Sequence, residues 1–116
     1  MLLTLCKSKI ANARVTAAEL YYEGSITIDE NVINAVGILP GEKVEIFNVN
    51  NGARLETYVI AGRPGSGHVC LNGPAARLGY VGDKLIIISY ALVTPDEART
   101  LKQRTVYLTD ENTVKA

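Results

Sequence analysis

The stretch that decides the fold is VGILPGEKVEI at positions 36–46, because its pattern returns as LGYVGDKLIII at positions 78–88. In each copy a glycine ends a short predicted helix, an apolar pair follows, and a Gly-acid-Lys triplet leads into a predicted strand. We expect Gly37 and Gly79 to adopt the left-handed conformation that ends helices. We expect the acidic residue of each triplet to accept hydrogen bonds from the turn amides. Two such units predict a pseudo-symmetric β-barrel, with chance similarity of two strand entries as the alternative.

Further strands and short helices surround this repeat. Alternation and apolar runs predict strands at residues 2–10, 25–28, 44–49, 54–61, 69–71, 85–92 and 104–108. Helical turns are predicted after the N-caps Asp29, Asn72 and Thr94, whereas residues 13–20 fit either a strand or a helical turn. The unbroken apolar run at 85–92 is typical of a strand buried on both faces.

Bulk composition predicts a single globular domain over residues 1–116. A 47 % apolar and 21 % charged composition argues against disorder. Twelve basic and twelve acidic residues cancel, which argues against a nucleic-acid partner. No apolar run approaches the ~20 residues of a membrane span, and the first residues lack the apolar region of a signal peptide. We therefore expect a cytoplasmic protein without a membrane partner.

Cysteine and histidine usage offers little for metal or triad chemistry. Cys6 and Cys70 are far apart in sequence, lack paired-ligand spacing and have apolar neighbours, which favours buried reduced thiols over a disulfide or a reactive group. His68 is the only histidine and follows a Gly-rich segment, GRPGSG at 62–67. Without a strand-then-helix context, this segment reads as a loop rather than a phosphate cradle.

Three polar side chains stand apart from the scattered surface charges. Lys9 interrupts an apolar strand, Arg54 begins the strand after the NNG turn, and Tyr58 follows four residues later. Alternation places Arg54 and Tyr58 on one face of their strand and Thr57 on the other. A guanidinium can hold a carboxylate bidentately, and a phenol can deliver a proton in a dry site. Surface cations and a rim aromatic are the alternative interpretation.

The motifs KSKI (7–10), YYEGSITID (21–29), VNNGARLETYVI (49–60), NGPAA (72–76) and VGD (81–83) together resemble the aspartate 1-decarboxylase family. The resemblance runs over nearly the whole chain, from Met1 to about Leu108. It implies a double-psi β-barrel assembled as a homotetramer. It also implies a pyruvoyl-dependent lyase that decarboxylates L-aspartate to β-alanine for pantothenate and coenzyme A biosynthesis.

The Gly24-Ser25 pair lies between two predicted strands, where a hairpin turn is the ordinary interpretation. The family resemblance implies instead an autocatalytic cleavage between residues 24 and 25 of a zymogen. The products would be a 1–24 chain and a 25–116 chain, with Ser25 converted to the pyruvoyl cofactor that forms a Schiff base with the substrate. Thr57 would polarise the Gly24 carbonyl during processing, and Tyr22 would flank the cleavage point.

The resemblance also implies roles in substrate binding and turnover. Tyr58 would return a proton to the substrate carbon, while Arg54 and Lys9 would hold the carboxylates. Thr57 would contact substrate as well, together with a cradle formed by Asn72, Gly73, Pro74 and Ala75. Since Thr57 and Tyr58 cannot share a face of a regular strand, either a bulge intervenes or the two serve different sides.

Some positions depart from the family pattern. The usual Lys-x-His-Arg segment reads Lys9-Ile10-Ala11-Asn12, so a histidine that commonly lines the substrate site is absent. Pro74 replaces a commoner alanine and removes one amide donor, and Phe47 occupies a position where some members carry tryptophan. Two alternatives remain open at this point: an enzyme fold that is never processed, and a non-enzymatic β-barrel binding module of the swapped-hairpin regulator type. An accessory protein for processing is also not decided by the sequence.

Overall fold

The computed structural model describes all 116 residues and is built mainly from strands, which confirms the predicted mainly-β class. One sheet contains all eight strands, in the order β2-β6-β3-β5-β4-β7-β1-β8. The strands are β1 (Leu3–Arg14), β2 (Ala17–Glu19), β3 (Ser25–Asp29), β4 (Lys43–Asn48), β5 (Arg54–Gly62), β6 (Val69–Asn72), β7 (Lys84–Val93) and β8 (Arg104–Tyr107). The helices are α1 (Glu30–Val36), α2 (Pro95–Thr100) and a 3-10 helix (Gly73–Arg77). No helix is long and apolar enough to cross a membrane.

The two Gly-acid-Lys turns have matching hydrogen bonds, as the internal repeat predicts. Glu42 Oε1 accepts from the amide of Leu39 at 3.0 Å, and Asp83 Oδ2 accepts from the amide of Tyr80 at 2.9 Å. In both turns the acidic residue's own amide also donates to the carbonyl three residues earlier, at 3.0 Å. Each acidic residue therefore closes its turn with two hydrogen bonds, one through its carboxylate and one through its own amide.

The same two turns join strands in equivalent ways. The Gly41 amide donates to the Val59 carbonyl at 2.7 Å, and the Gly82 amide donates to the Val15 carbonyl at 2.8 Å. Val59 and Val15 in turn donate to the carbonyls of the acidic residues, at 3.1 and 2.9 Å. A sequence coincidence would not reproduce these long-range bonds, so the repeat is a structural pseudo-symmetry.

The helix stops differ between the two copies. Gly37 has φ of +73° and ends α1 in the left-handed conformation, as predicted. The prediction for Gly79 is wrong, because the 3-10 helix ends at Leu78 with φ of −110° and Gly79 is not left-handed. Space is tight at this position, since a Cβ on Gly79 would lie 2.7 Å from Leu71 Cδ1 and would displace that buried side chain.

Strand pairing mixes parallel and antiparallel neighbours. The equivalent strands β4 and β7 pair antiparallel, and so do β3 and β6. Each of β3 and β6 also has a parallel neighbour, β5 for β3 and β2 for β6. The region that sequence left ambiguous thus contains the end of β1 and all of β2. This arrangement accords with the double-psi β-barrel expectation and sets β3 directly beside β6.

The core is a cluster of 18 buried apolar residues drawn from both repeat units. β7 contributes Leu85 and Ile87 to it, but its burial alternates along the strand. The prediction that β7 is buried on both faces is therefore wrong for the single chain, where Leu92 is 69 % exposed. An apolar residue at each position does not by itself bury both faces.

Two buried polar residues, Asn112 and Asp29, hold loops in place. Asn112, in a left-handed conformation, accepts from the Arg14 amide at 2.8 Å and donates to the Arg14 and Gly67 carbonyls. The carboxylate of Asp29 accepts from the amides of Gly65 and Gly67 at 3.1 and 2.9 Å. The Gly-rich loop therefore gives these amides to an internal carboxylate, consistent with its interpretation as a loop.

Candidate active site

Ser25 begins β3 and lies directly opposite Asn72, the last residue of β6. Both side chains are buried, with Ser25 0 % and Asn72 4 % exposed. Asn72 Nδ2 donates to Ser25 Oγ at 2.8 Å and to Thr27 Oγ1 at 2.9 Å. Asn72 holds the predicted N-cap position of the 3-10 helix, but its side chain makes no cap hydrogen bond. The side chain instead fixes the serine hydroxyl.

A fourth polar side chain completes this arrangement. Cys70 pairs with Thr27 across the same two strands, and its Sγ donates to Asn72 Oδ1 at 3.1 Å. Burial, followed by the charge of Glu19, raises the pKa of the Cys70 thiol. Both cysteines are free, in agreement with the reduced-thiol interpretation, but each is only partly buried and not fully buried as predicted. Sequence reasoning missed Thr27 and Cys70, although their i, i+2 spacing from Ser25 and Asn72 places each pair on one strand face.

Gly73 packs against the segment that precedes the serine. Its φ is +69°, and a Cβ there would lie 2.5 Å from the Tyr22 carbonyl oxygen and 2.9 Å from the Gly24 nitrogen. An ideal Cβ on Gly24 would have Pro74 Cδ as its nearest atom, at 3.7 Å. The residues expected as a cradle are thus in contact with the backbone on the amino-terminal side of Ser25. The Tyr22 side chain is itself 56 % exposed.

Thr57 and Gly24 line one cavity of about 200 Å³, together with Pro74 and Ala75. Thr57 is partly buried, and the register of β5 with β4 is unbroken from Arg54 to Tyr58. No bulge therefore intervenes, and Thr57 and Tyr58 face opposite sides of β5. Thr57 is on the face of β5 that lines the Gly24 cavity, and the Tyr58 phenol is on the opposite face.

The expected cationic contacts occupy a different cavity. Lys9 and Arg54 line a space of about 390 Å³ that also includes Phe47, and the Arg54 guanidinium lies 4.7 Å from the centre of the Phe47 ring. Tyr58 is 42 % exposed and lines a third cavity, with Lys43, Glu56 and Thr57. Within one chain Lys9 and Arg54 thus line a different cavity from Gly24 and Thr57. Tyr58, by contrast, directly precedes Val59, which pairs with Ile26, the residue after Ser25.

The largest cavity, about 450 Å³, contains none of the expected site residues. It is lined by Tyr90 and Glu45, whose phenol and carboxylate are joined by a 2.8 Å hydrogen bond. That bond, helped by burial, raises the pKa of Tyr90 to about 12. The phenol therefore stays protonated, and nothing in this cavity contacts the serine.

Comparisons with known proteins agree with the motifs. The family model described as Aspartate decarboxylase matches residues 1–115. An aspartate 1-decarboxylase of Clostridium beijerinckii is 58 % identical over 115 residues, covering 99 % of this chain and 93 % of the relative. The enzyme of that name from Salinibacter ruber is 55 % identical, covering 97 % of this chain and 77 % of the relative. The one from Bacillus subtilis is 54 % identical, with coverage of 97 % and 88 %.

Proposed function

The chain belongs to the aspartate decarboxylase family, and from this premise we propose that it decarboxylates L-aspartate to β-alanine in pantothenate biosynthesis. The observation that carries the proposal is the match over residues 1–115 together with a buried serine hydroxyl bound by an asparagine amide. A full-length match to enzymes of one name favours a carboxy-lyase over the swapped-hairpin binding module. The family uses a pyruvoyl group, and its source in this chain is the next part of the proposal.

Self-cleavage between Gly24 and Ser25 would generate that group. Ser25 Oγ attacks the Gly24 carbonyl carbon, the peptide C–N bond breaks, and an ester with a free amine at position 25 results. Loss of the Ser25 α-proton then breaks the Cβ–Oγ bond, so that Oγ leaves in the Gly24 carboxylate and dehydroalanine remains. One water enters, one ammonia departs, and the ketone caps residues 25–116. Glycine at position 24 leaves the carbonyl open to this attack.

The surroundings of Ser25 fit both the precursor and the group derived from it. Thr57 lines the same cavity as Gly24, which is where a donor to the carbonyl oxygen is needed as negative charge develops. Asn72 supplies a second donor at the serine oxygen. Once formed, the pyruvoyl carbonyl supplies the electron sink that ordinary side chains lack. The 3-10 helix start at Gly73 adds a backbone bend that admits the 22–24 segment at close range.

Substrate binding requires cations for the two carboxylates of aspartate. Arg54 can hold one carboxylate bidentately and Lys9 the other, since both line one cavity. Tyr58, on the same strand face as Arg54, is the proposed proton donor to the substrate carbon. Because Lys9 and Arg54 line a different cavity from Gly24 and Thr57 in one chain, we infer that a homotetramer completes each site. The exposed face of β7, with Leu92 at 69 % exposure, offers apolar surface for such contacts. A cytoplasmic location remains a prediction.

Intact mass under denaturing conditions tests the proposal. Aged wild-type protein should give a 1–24 piece and a 25–116 piece that is one ammonia lighter than its sequence mass. Ser25→Ala should give only the full-length mass, because no hydroxyl is present to attack. Ser89→Ala is the matched control, since Ser89 is also a fully buried strand serine, and it should cleave normally. Full-length wild-type protein that decarboxylates aspartate, with no amine-trapping carbonyl, would contradict self-processing.

A further inference from the structure

We propose that Cys70 is a positioning residue for the cleavage at Ser25, acting through Asn72. The Cys70 thiol donates to Asn72 Oδ1 at 3.1 Å and so keeps the Asn72 amide nitrogen turned toward Ser25 Oγ. This inference rests on the proposed self-cleavage and concerns its rate. Cys70 itself contacts neither the serine hydroxyl nor the Gly24 carbonyl in the hydrogen-bond network.

The orientation of a carboxamide depends on what lies at its two ends. The nitrogen end of Asn72 meets two hydroxyls, Ser25 and Thr27, at 2.8 and 2.9 Å. Hydroxyls can donate or accept, so they would tolerate either the nitrogen or the oxygen of the amide. The thiol at the other end is the single partner of Oδ1. A thiol is a poor acceptor and a weak donor, and it therefore favours the oxygen at its own side.

The thiol keeps its proton in this environment. Its pKa is raised, first because burial disfavours the thiolate and second because Glu19 adds negative charge nearby. The Cys70 side chain is therefore a donor at neutral pH. Its register opposite Thr27 and its i, i+2 spacing from Asn72 place all four side chains on one face of the β3–β6 pair.

The orientation matters because Ser25 Oγ gains negative charge twice during cleavage. Charge develops first when the hydroxyl loses its proton to attack the Gly24 carbonyl. It develops again when the Cβ–Oγ bond breaks and Oγ departs in the Gly24 carboxylate. An amide N–H stabilises that oxygen at both points. A turned Asn72 would instead place a carbonyl oxygen against the same charge.

Self-cleavage rates of cysteine variants test this inference. Cys70→Ala and Cys70→Val lack the donor, and we expect each to cleave roughly three- to tenfold more slowly, the range of one net hydrogen bond. Cys70→Ser keeps a donor and should restore the wild-type rate. Cys6→Ala is the matched control, because the other free cysteine is outside this network. Rates are measured by intact mass on freshly purified protein, beside the melting temperature of each uncleaved sample.

The outcomes separate this inference from the proposed function. Wild-type protein that never cleaves would overturn both. Wild-type protein that cleaves, with Cys70→Ala and Cys70→Val at the same rate, would overturn the role of Cys70 alone. A serine variant as slow as the alanine variant would do the same, since packing would then explain the loss. Finally, Cys70→Ala should have no further effect in an Asn72→Ala background that still cleaves slowly; an equal further loss there would contradict a route through Asn72.

Discussion

Gly73 is packed so closely on Gly24 that a Cβ on Gly73 would lie 2.9 Å from the Gly24 nitrogen. The 3-10 helix start therefore fixes how the backbone enters the proposed cleavage point. A side chain at position 73 would have to displace the 22–24 segment, because the obstructing atoms are backbone atoms of Tyr22 and Gly24.

Gly73→Ala should reduce self-cleavage strongly and destabilise the fold. Left-handed backbone alone costs a non-glycine residue ~1–2 kcal/mol, and the clash adds to that cost. Gly41→Ala is the control, since Gly41 also has a positive φ of +86° but has nothing within 4 Å of its ideal Cβ. Melting temperature and the cleaved fraction by mass distinguish the two. Equal cleavage in both variants would contradict the packing role of Gly73.

Tyr58→Phe should leave self-cleavage intact and remove most turnover. The phenol is on the face of β5 opposite Thr57, so its loss does not disturb the side that lines the Gly24 cavity. A positioned general acid contributes ~10²–10⁴-fold to a rate. Tyr80→Phe, a tyrosine that is 81 % exposed in a turn, serves as the control. Steady-state β-alanine production by fully cleaved protein is the measurement, and turnover equal to wild type would exclude the proton-donor role.

Arg54→Lys should weaken substrate binding more than it affects cleavage. Lysine keeps the charge but loses the bidentate geometry and the guanidinium group that lies 4.7 Å from the centre of the Phe47 ring. Loss of one charge-assisted hydrogen bond costs ~1.5–3 kcal/mol, or roughly ten- to a hundredfold in kcat/KM. Arg63→Lys, in the exposed Gly-rich loop, should change nothing. An unaltered kcat/KM for Arg54→Lys would contradict the proposed contact between Arg54 and a substrate carboxylate.

Acid should destabilise the protein partly through Asp29. Burial raises the pKa of this carboxyl, but amide donors from Gly67, Asn31 and Gly65 outweigh it and hold the pKa below its usual range. A depressed folded pKa gives stability that is complete above the unfolded pKa of ~4 and is lost as pH falls through the folded pKa.

Asp29→Asn should therefore lower the free energy of unfolding at neutral pH. It should also make the further decrease of that free energy below pH ~4 less steep. One accepting oxygen becomes an amide nitrogen facing a backbone N–H, at a cost of ~1–3 kcal/mol. The comparison is Asp96→Asn, whose carboxylate is 95 % exposed beside Arg99. Unfolding midpoints across the acid range provide the measurement. Parallel pH profiles for wild type and Asp29→Asn would rule out this linkage.

Local chemistry explains what the sequence could predict. Glu42 and Asp83 each close a turn within three residues of themselves, so a short Gly-acid pattern was sufficient to anticipate both. The strand face shared by Arg54 and Tyr58 followed from alternation alone. The motif resemblance then predicted site roles for Ser25, Thr57 and the residues after Asn72.

Long-range register explains what the sequence could not predict. The contacts of Asn72 with Ser25 and Thr27 depend on β3 pairing with β6 in one register, which no local pattern specifies. The bond between Asn112 and Arg14 was also unpredictable, because the two residues are 98 positions apart in sequence. The exposure of β7 was missed because apolar composition does not report how many neighbours cover a strand.

The position of β1 gives a cut after residue 24 an unusual outcome. β1 is bonded on one side to β7 and on the other to β8, and both of those strands belong to the later piece. Cleavage would thus produce a molecule in which the 1–24 fragment stays hydrogen-bonded between two strands of the 25–116 fragment. The mature protein would behave as an obligate heterodimer made from one gene product, and only denaturation would part its two members.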